Sequence, residues 1–372
     1  MKRRRVFLHV GTPKSGTSYL QDTLARNRDL LESQRMGYPR TRSGDHFQAA
    51  LDLLGQRWAG AEAQAEGQWD ALVGEARRSR GSLVVSHEIL AGATAPAVAR
   101  AIASFPDHEP HVVLTVRDLG RQIPAEWQER VKHRARRDFA TYLRHTRRHH
   151  GDAETTGARI TPFWRVQDVP RILATWGGQL PPSHVHVVTV GAAGGPKDQL
   201  WQRFAQVLGL DPTAAWQESP ATNASLGGAE VTALRLLNAA LAERGVSRET
   251  YVRWVRESVV KDVLAGRRES PRATVPPRTR PWVEEISAGW IEQIRALGVD
   301  VVGDLDELRP RWPDAAEEAD GWIDPDAADP ELVSRLLVES LAHVLDHIGP
   351  RRLETSPLET GPVARIARRL RG

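Results

Sequence analysis

The segment Gly11-Thr12-Pro13-Lys14-Ser15-Gly16-Thr17-Ser18 constrains this chain more than any other. In front of it Val6 to Val10 reads as a short buried strand, and behind it Leu20, Leu24, Asn27 and Leu31 recur at helical spacing. Strand, glycine-containing loop and helix in that order suit an anion. The first backbone N–H groups of a helix have no intrahelical acceptor, and the helix dipole adds partial positive charge at the same end. Gly16 lets the backbone come close to a ligand. The nucleotide triphosphatase pattern G-x-x-x-x-G-K-[ST] is almost met, yet Thr17 holds the lysine position and the lysine stands earlier, at Lys14. A kinase of that type also needs a metal-holding acid after a later strand, where this chain has Arg117 following Val116. The loop therefore suits an anion managed by cations rather than by magnesium.

Further short β-rich runs are Leu83 to Ser86, Val112 to Val116 and Val185 to Val190, separated by helical patterns at Phe47 to Trp58, Ala97 to Phe105 and Asp198 to Leu208. The expected fold class is α/β: a P-loop-like parallel sheet with helices on both faces, plus a helical C-terminal region. Ligands in such sheets lie beyond the carboxyl ends of the strands, which singles out Gly11 to Ser18, His87 with Glu88, and Arg117 with Asp118. From Gly228 onward the strand signal fades and helices are expected at Leu234 to Leu241, Tyr251 to Leu264 and Trp282 to Leu297. The Arg- and Pro-rich stretch Arg267 to Arg280 reads as a surface linker. Glu331 to Ile348 places Leu332, Leu336, Leu337, Leu341, Val344, Leu345 and Ile348 on one helical face, read as packing on the main body, with a homodimer contact as the alternative. Expected divisions are residues 1–230 as the nucleotide-binding core, 231–312 as a helical continuation, and 313–372 as an extension ending in the basic tail of Arg365, Arg368, Arg369 and Arg371.

Composition narrows the chemistry. The 372 residues contain no cysteine, which removes disulfides, zinc-thiolate sites and cysteine nucleophiles. A formal charge of +4 suits an anionic small molecule and is far below that of a dedicated nucleic-acid binder. Behind Lys2 to Arg5 the apolar run already contains His9 and stops at Gly11, too short for a secretory core, and no stretch reaches the ~18 apolar residues of a membrane span. A cytoplasmic location is the expectation.

The loop Pro13-Lys14-Ser15-Gly16-Thr17-Ser18 resembles the phosphosulfate loop P-K-[ST]-G-[ST]-[ST] of the sulfotransferase family. A second resemblance is Val112 to Asp118, similar to the strand end whose arginine binds the 3′-phosphate of the donor. The family's serine eight residues after that arginine is Ala125 here. A third, Asn223-Ala224-Ser225-Leu226-Gly227, looks like the N-x-S-L-G segment of bacterial members that closes over the nucleotide. The motif-level resemblance covers roughly residues 5 to 230. It implies 3′-phosphoadenylyl sulfate as donor, adenosine 3′,5′-bisphosphate as product, no metal, and a hydroxyl or amine acceptor on a small molecule, carbohydrate or glycolipid that no residue identifies.

The resemblance also implies roles. Lys14 would meet the charge that develops on the leaving oxygen, helped by Ser15, Gly16, Thr17 and Ser18. Arg117 would pair with the 3′-phosphate, with Arg121 one turn further along adding charge, and Ser225 would contact the nucleotide. His87, projecting from a strand end, is the first candidate for the base that takes the acceptor proton; Glu88 is the second and His46 a further one. Trp127 and Trp164 are candidates for stacking on adenine or acceptor. The basic stretches Lys132 to Arg137 and Arg144 to His150 read as solvated helix faces, with attraction of a polyanionic acceptor as the alternative. Two rival functions use the same loop: a small-molecule kinase, and a nucleotide-binding protein without turnover.

Overall fold

The computed structural model describes residues 3–41, 46–55, 62–151, 160–192, 194–196, 198–219, 225–267, 269–312 and 322–348. Its contacts group into two compact units: Met1–Trp127, Ala140–Asn223 and Thr274–Trp322 form the first, and Gln128–Phe139, Ala224–Ala273 and Ile323–Gly372 the second. The first unit holds a six-stranded sheet made of β1 Arg5–His9, β2 Met36–Gly37, β3 Ser82–Ser86, β4 Glu109–Val116, β5 Val185–Thr189 and β6 Asp300–Val302. All pairs are parallel and the spatial order is β2-β3-β1-β4-β5-β6. Strand β1 sits between β3 and β4: from β1 the chain crosses to the edge at β2, returns to β3 beside β1, then passes to the other side of β1 and works outward through β4, β5 and β6. Ligands of open α/β sheets bind beyond the carboxyl ends of the strands at such a switch point.

Both faces of the sheet are buried. Phe7, Val84, Val113 and Val188 point to one face, where they join Leu20, Leu24 and Phe204 from the surrounding helices. Side chains alternate along a strand, so Leu8, Val85, Val112 and Val187 point the other way, and they are buried as well. Two-sided burial is why these strands read as continuous apolar runs rather than alternating ones. Helices surround the sheet, as expected for the α/β class.

Three local readings need correction. Strands β2 and β6 were not legible, and β6 falls in the region where the strand signal fades; only two and three residues long, they are edge segments defined by pairing Met36 with Ser82 and Asp300 with His186. The periodic stretch Leu20 to Leu31 is two helices, Thr17–Arg26 and Arg28–Ser33, broken at Asn27. There the carboxamide donates to the Thr23 carbonyl at 2.7 Å and the Gln217 carbonyl at 2.9 Å, and accepts from the Gln217 N–H at 2.8 Å. The stretch Arg267 to Arg280 is not simply a surface linker, because Ala273, Val275 and Thr279 are buried.

In the second unit, helix Pro330–Ile348 packs on helix Gly228–Glu243 and on the π-helical segment Val252–Leu264. It buries Val333, Leu336 and Ser340, whereas Leu341 and Leu345 are 60% and 56% exposed. The buried stripe is therefore displaced from the leucine face read in the sequence. Leucine content alone does not say which side of an apolar-rich helix meets its neighbours. The basic tail from Arg365 lies outside the described residues. Among the described residues, no helix is long and apolar enough to cross a membrane.

Candidate functional site

Beyond β1 the ladder continues, with Val10 N–H bonded to the Val113 carbonyl at 2.9 Å and Thr12 N–H to the Thr115 carbonyl at 3.0 Å. The chain then turns sharply at Lys14, φ 66°, and Gly16, φ 82°, before helix Thr17–Arg26 begins. A Cβ on Gly16 would lie 2.3 Å from Leu200 Cδ2, and one on Gly11 2.6 Å from Thr115 Oγ1, so both positions need glycine. Among the described residues no side chain caps the helix at Gly16. Its first N–H groups are therefore left without a side-chain acceptor, an arrangement that stabilises an anion.

The loop is held from beneath by Ser15 of its own and by Thr115, Gln122 and Gln167, which carry no signal in the sequence. Ser15 is fully buried and its hydroxyl donates to the Thr12 carbonyl at 2.6 Å, so that oxygen supports the loop from inside. Thr115, on β4, lies 2.7 Å from Ser15 Oγ and 3.2 Å from His9 Nε2, and His9 Nδ1 lies 2.7 Å from Ser86 Oγ. Because Ser15 already donates to Thr12, the hydrogens run one way: Ser86 to His9, His9 to Thr115, Thr115 to Ser15. Burial holds His9 down to about pKa 3, outweighing the upward pull of Glu88, so the ring is neutral as this chain requires. From the helix Leu119–Lys132, Gln122 Nε2 donates to the Pro13 carbonyl at 2.6 Å and to Gln167 Oε1 at 2.9 Å; Gln167 Nε2 donates to the same carbonyl at 3.0 Å. These partners are 109 and 154 residues from Pro13 in sequence, so no local pattern could have revealed them.

His87 and Glu88 leave the end of β3 next to the loop, with His87 N–H bonded to the His9 carbonyl at 3.2 Å. His87 Nδ1 accepts from Ile89 N–H at 3.3 Å and lies 3.8 Å from Glu88 Oε2. A backbone N–H can only donate, so the neutral imidazole carries its proton on Nε2. Glu88 Oε2 accepts from Gln21 Nε2 at 3.0 Å. Burial pushes the Glu88 carboxyl up, but His87, its own backbone N–H, Gln21 and Lys14 together outweigh this and hold it below its ordinary value. His46 is committed elsewhere: Nδ1 accepts from Ser86 N–H at 3.1 Å, Nε2 donates to the Pro39 carbonyl at 2.9 Å, and burial lowers it to about pKa 4.

At the end of β4, Arg117 Nη1 donates to the Lys14 carbonyl at 3.3 Å, which puts a guanidinium against the loop. Asp118 caps the following helix by accepting from Arg121 N–H at 2.9 Å, and its carboxylate also pairs with the Arg121 guanidinium. Arg121 in addition donates to the Gly191 carbonyl at 3.2 Å, so two partners already hold it. Thr17 is buried and Ser18 exposed. Trp127 and Trp164 are buried, and Trp164 Nε1 donates to the Thr146 carbonyl at 2.8 Å, which makes both core residues in this conformation. Ser225 belongs to the second unit, where its hydroxyl lacks a hydrogen-bond partner among the described residues; Asn223 and Ala224 lie outside them. Next to Ser225, Gln128 clasps Leu226, donating to its carbonyl at 3.0 Å and accepting from its N–H at 3.2 Å.

No family model matches the chain, and no curated protein matches it. Among solved structures it is similar to a sulfotransferase from Alicyclobacillus acidocaldarius, at 16% identity and a TM-score of 0.40, over 67% of this chain and 98% of that one. It is also similar to the sulfotransferase domain from the curacin biosynthetic pathway, at 12% identity and a TM-score of 0.35, over 77% of this chain and 97% of that one. Both neighbours are sulfotransferases.

Proposed function

We propose that the protein is a sulfotransferase that moves a sulfuryl group from 3′-phosphoadenylyl sulfate to a hydroxyl or amine acceptor. The observation that carries this reading is the meeting of two anion-binding elements at one strand edge: the uncapped, lysine-bearing loop after β1 and Arg117 at the end of β4, joined by the 3.3 Å bond from Arg117 to the Lys14 carbonyl. A loop of this kind suits the 5′-phosphosulfate, and a neighbouring guanidinium suits a second phosphate on the same nucleotide. Thr17 in place of the triphosphatase lysine speaks against the kinase alternative.

In the proposed reaction the acceptor oxygen or nitrogen forms a bond to sulfur while the bond from sulfur to the bridging phosphate oxygen breaks. Negative charge grows on that oxygen, and Lys14 with the N–H groups from Gly16 to Ser18 stabilises it; such preorganised donors are usually the largest catalytic contribution. His87 takes the acceptor proton. To do so at Nε2 the ring must carry its other hydrogen on Nδ1, giving up the Ile89 bond, and Glu88 Oε2, 3.8 Å away, is the group that would receive that hydrogen. Glu88 is then a positioning residue. Its lowered pKa argues against it as the base, because a weaker base gains less from accepting the proton.

Calorimetric titration with adenosine 3′,5′-bisphosphate and with ADP, each with and without magnesium, tests the reading. Tighter binding of the bisphosphate without magnesium is expected. Equal affinity for both nucleotides, or a magnesium requirement, would overturn it.

A further inference from the structure

The opposite edge of the sheet carries a cluster that the transfer reaction does not use. Glu109 and His111 open β4, His184 immediately precedes β5, and His186 and Asp300 are paired across β5 and β6. One nitrogen or oxygen from each of Glu109, His111 and His184 falls within 4.8 Å of the other two. His111 Nε2 lies 3.7 Å from Glu109 Oε2, and His184 Nε2 lies 3.7 Å from Glu109 Oε1.

The hydrogens can be assigned by following the chain from its acidic end. Asp300 Oδ2 lies 2.6 Å from His186 Nδ1, so that nitrogen donates to the carboxylate. A neutral His186 ring that donates from Nδ1 offers a lone pair on Nε2. His111 Nδ1, 2.9 Å away, donates to it. With Nδ1 donating, the neutral His111 ring carries a lone pair on Nε2 too. Among the described residues that nitrogen is buried without a hydrogen-bond partner, in a residue only 6% exposed, and it faces the Glu109 carboxylate. A lone pair turned toward a carboxylate in a buried place is repulsive unless a cation stands between them.

We infer that Glu109, His111 and His184 form a binding site for a borderline divalent transition-metal ion such as zinc, separate from the nucleotide crevice. Two imidazoles and one carboxylate are a zinc donor set, with water in the fourth position. Metal bonds of about 2.0–2.1 Å in tetrahedral geometry separate donors by about 3.3 Å; the two 3.7 Å spacings use different oxygens of Glu109, and the three donors lie within 4.8 Å of one another, so the side chains must close by up to about 1.5 Å around the ion. The Asp300–His186–His111 relay supplies the outer hydrogen bonds that fix the tautomer of a metal-bound histidine. Glu109 and His184 are partly exposed and give the ion an entry path. Arg5 is the opposing charge at this end, and the Glu109 and Asp300 carboxylates offset it. At about 3.3 Å per residue, the six residues from His111 to Arg117 put the cluster roughly 20 Å from the anion loop, so the ion would tie the start of β4 to the turn before β5 rather than take part in transfer.

The test uses the purified full chain, stripped of metal and then dialysed against zinc or cobalt(II). One zinc per chain, a visible cobalt absorption of tetrahedral strength, and a rise in Tm with zinc are expected. His184→Ala should weaken zinc binding at least 100-fold and Glu109→Gln about 10-fold, while Asp300→Asn, on an exposed edge and outside the ligand set, should weaken it about 10-fold through the relay. Bisphosphate affinity should not change on metal removal. Absence of stoichiometric uptake, or uptake equal to wild type in both His184→Ala and Glu109→Gln, would overturn the inference.

Discussion

Replacing Gln122 with methionine isolates what the tertiary structure adds to the anion loop. The side chain keeps its length and loses both N–H groups, so among the described residues the Pro13 carbonyl retains only the Gln167 bond at 3.0 Å, and Gln167 Oε1 loses the donor that now stands 2.9 Å away. Each lost bond is worth about 1 kcal/mol, and stranding a buried acceptor costs about 1–3 kcal/mol. Part of this is returned, because among the described residues Gln122 Oε1 is itself buried without a partner. A net cost of about 2 kcal/mol falls on the loop, corresponding to a roughly 30-fold larger opening equilibrium. Native-state hydrogen exchange reads it directly at the amides of Thr12 and Ser15, which are bonded to the Thr115 and Thr12 carbonyls at 3.0 and 3.2 Å. Both should exchange roughly 30-fold faster, while Val113 in the middle of β4 should not change. Bisphosphate affinity should fall as the competent loop becomes a smaller fraction of the population. Thr12 and Ser15 amides exchanging within about 3-fold of wild type would show that the Gln122 bonds do not hold the loop.

Lys14→Ala should lower turnover by roughly 10²–10³-fold, measured with saturating donor, if its ammonium meets the leaving oxygen. His87→Ala should depress turnover with bisphosphate affinity kept within a few-fold, and Glu88→Gln should do less damage; the reverse ranking across pH 5 to 9 would make the carboxylate the base. Burial holds His9 at about pKa 3 and His46 at about pKa 4. Both folded values lie below the unfolded value of about 6.5, so the unfolded chain gains protons first, and stability is lost as pH falls from about 6.5 toward the folded values, by about 2 kcal/mol per ring at pH 5. Urea titrations at pH 7, 6 and 5 check this, and a flat profile contradicts it. Glu307→Gln should cost about 2 kcal/mol at pH 7, because the carboxylate meets Arg203 at 2.6 Å with both side chains largely buried. Burial raises the Glu307 carboxyl, but Arg203 and Thr189 outweigh it and leave the pKa lowered; the difference between wild type and variant should therefore shrink as acidification protonates the wild-type residue.

The sequence by itself determined the strand–loop–helix unit around Pro13 to Ser18, the positions of β1, β3, β4 and β5, and the placement of His87, Glu88 and Arg117 at strand ends. Each is local: an apolar run long enough to be buried on both faces ends at a glycine, a histidine or an arginine, and the neighbouring residues carry the signal. Tertiary structure alone decided the rest. Strands β2 and β6 are too short to have a pattern and exist because Ser82 and His186 offer them a paired edge. Asn27 breaks a periodic stretch because Gln217, far along the chain, supplies backbone partners. Gln122, Gln167 and Thr115 look like ordinary helix and strand residues until the parallel pairing of β1 with β4 brings them under the loop. Glu109, His111 and His184 likewise become one cluster only because β4 and β5 lie side by side. Pairing between distant strands, and the burial it imposes on polar groups that must then find partners, depends on the whole chain being folded, which no window of sequence contains.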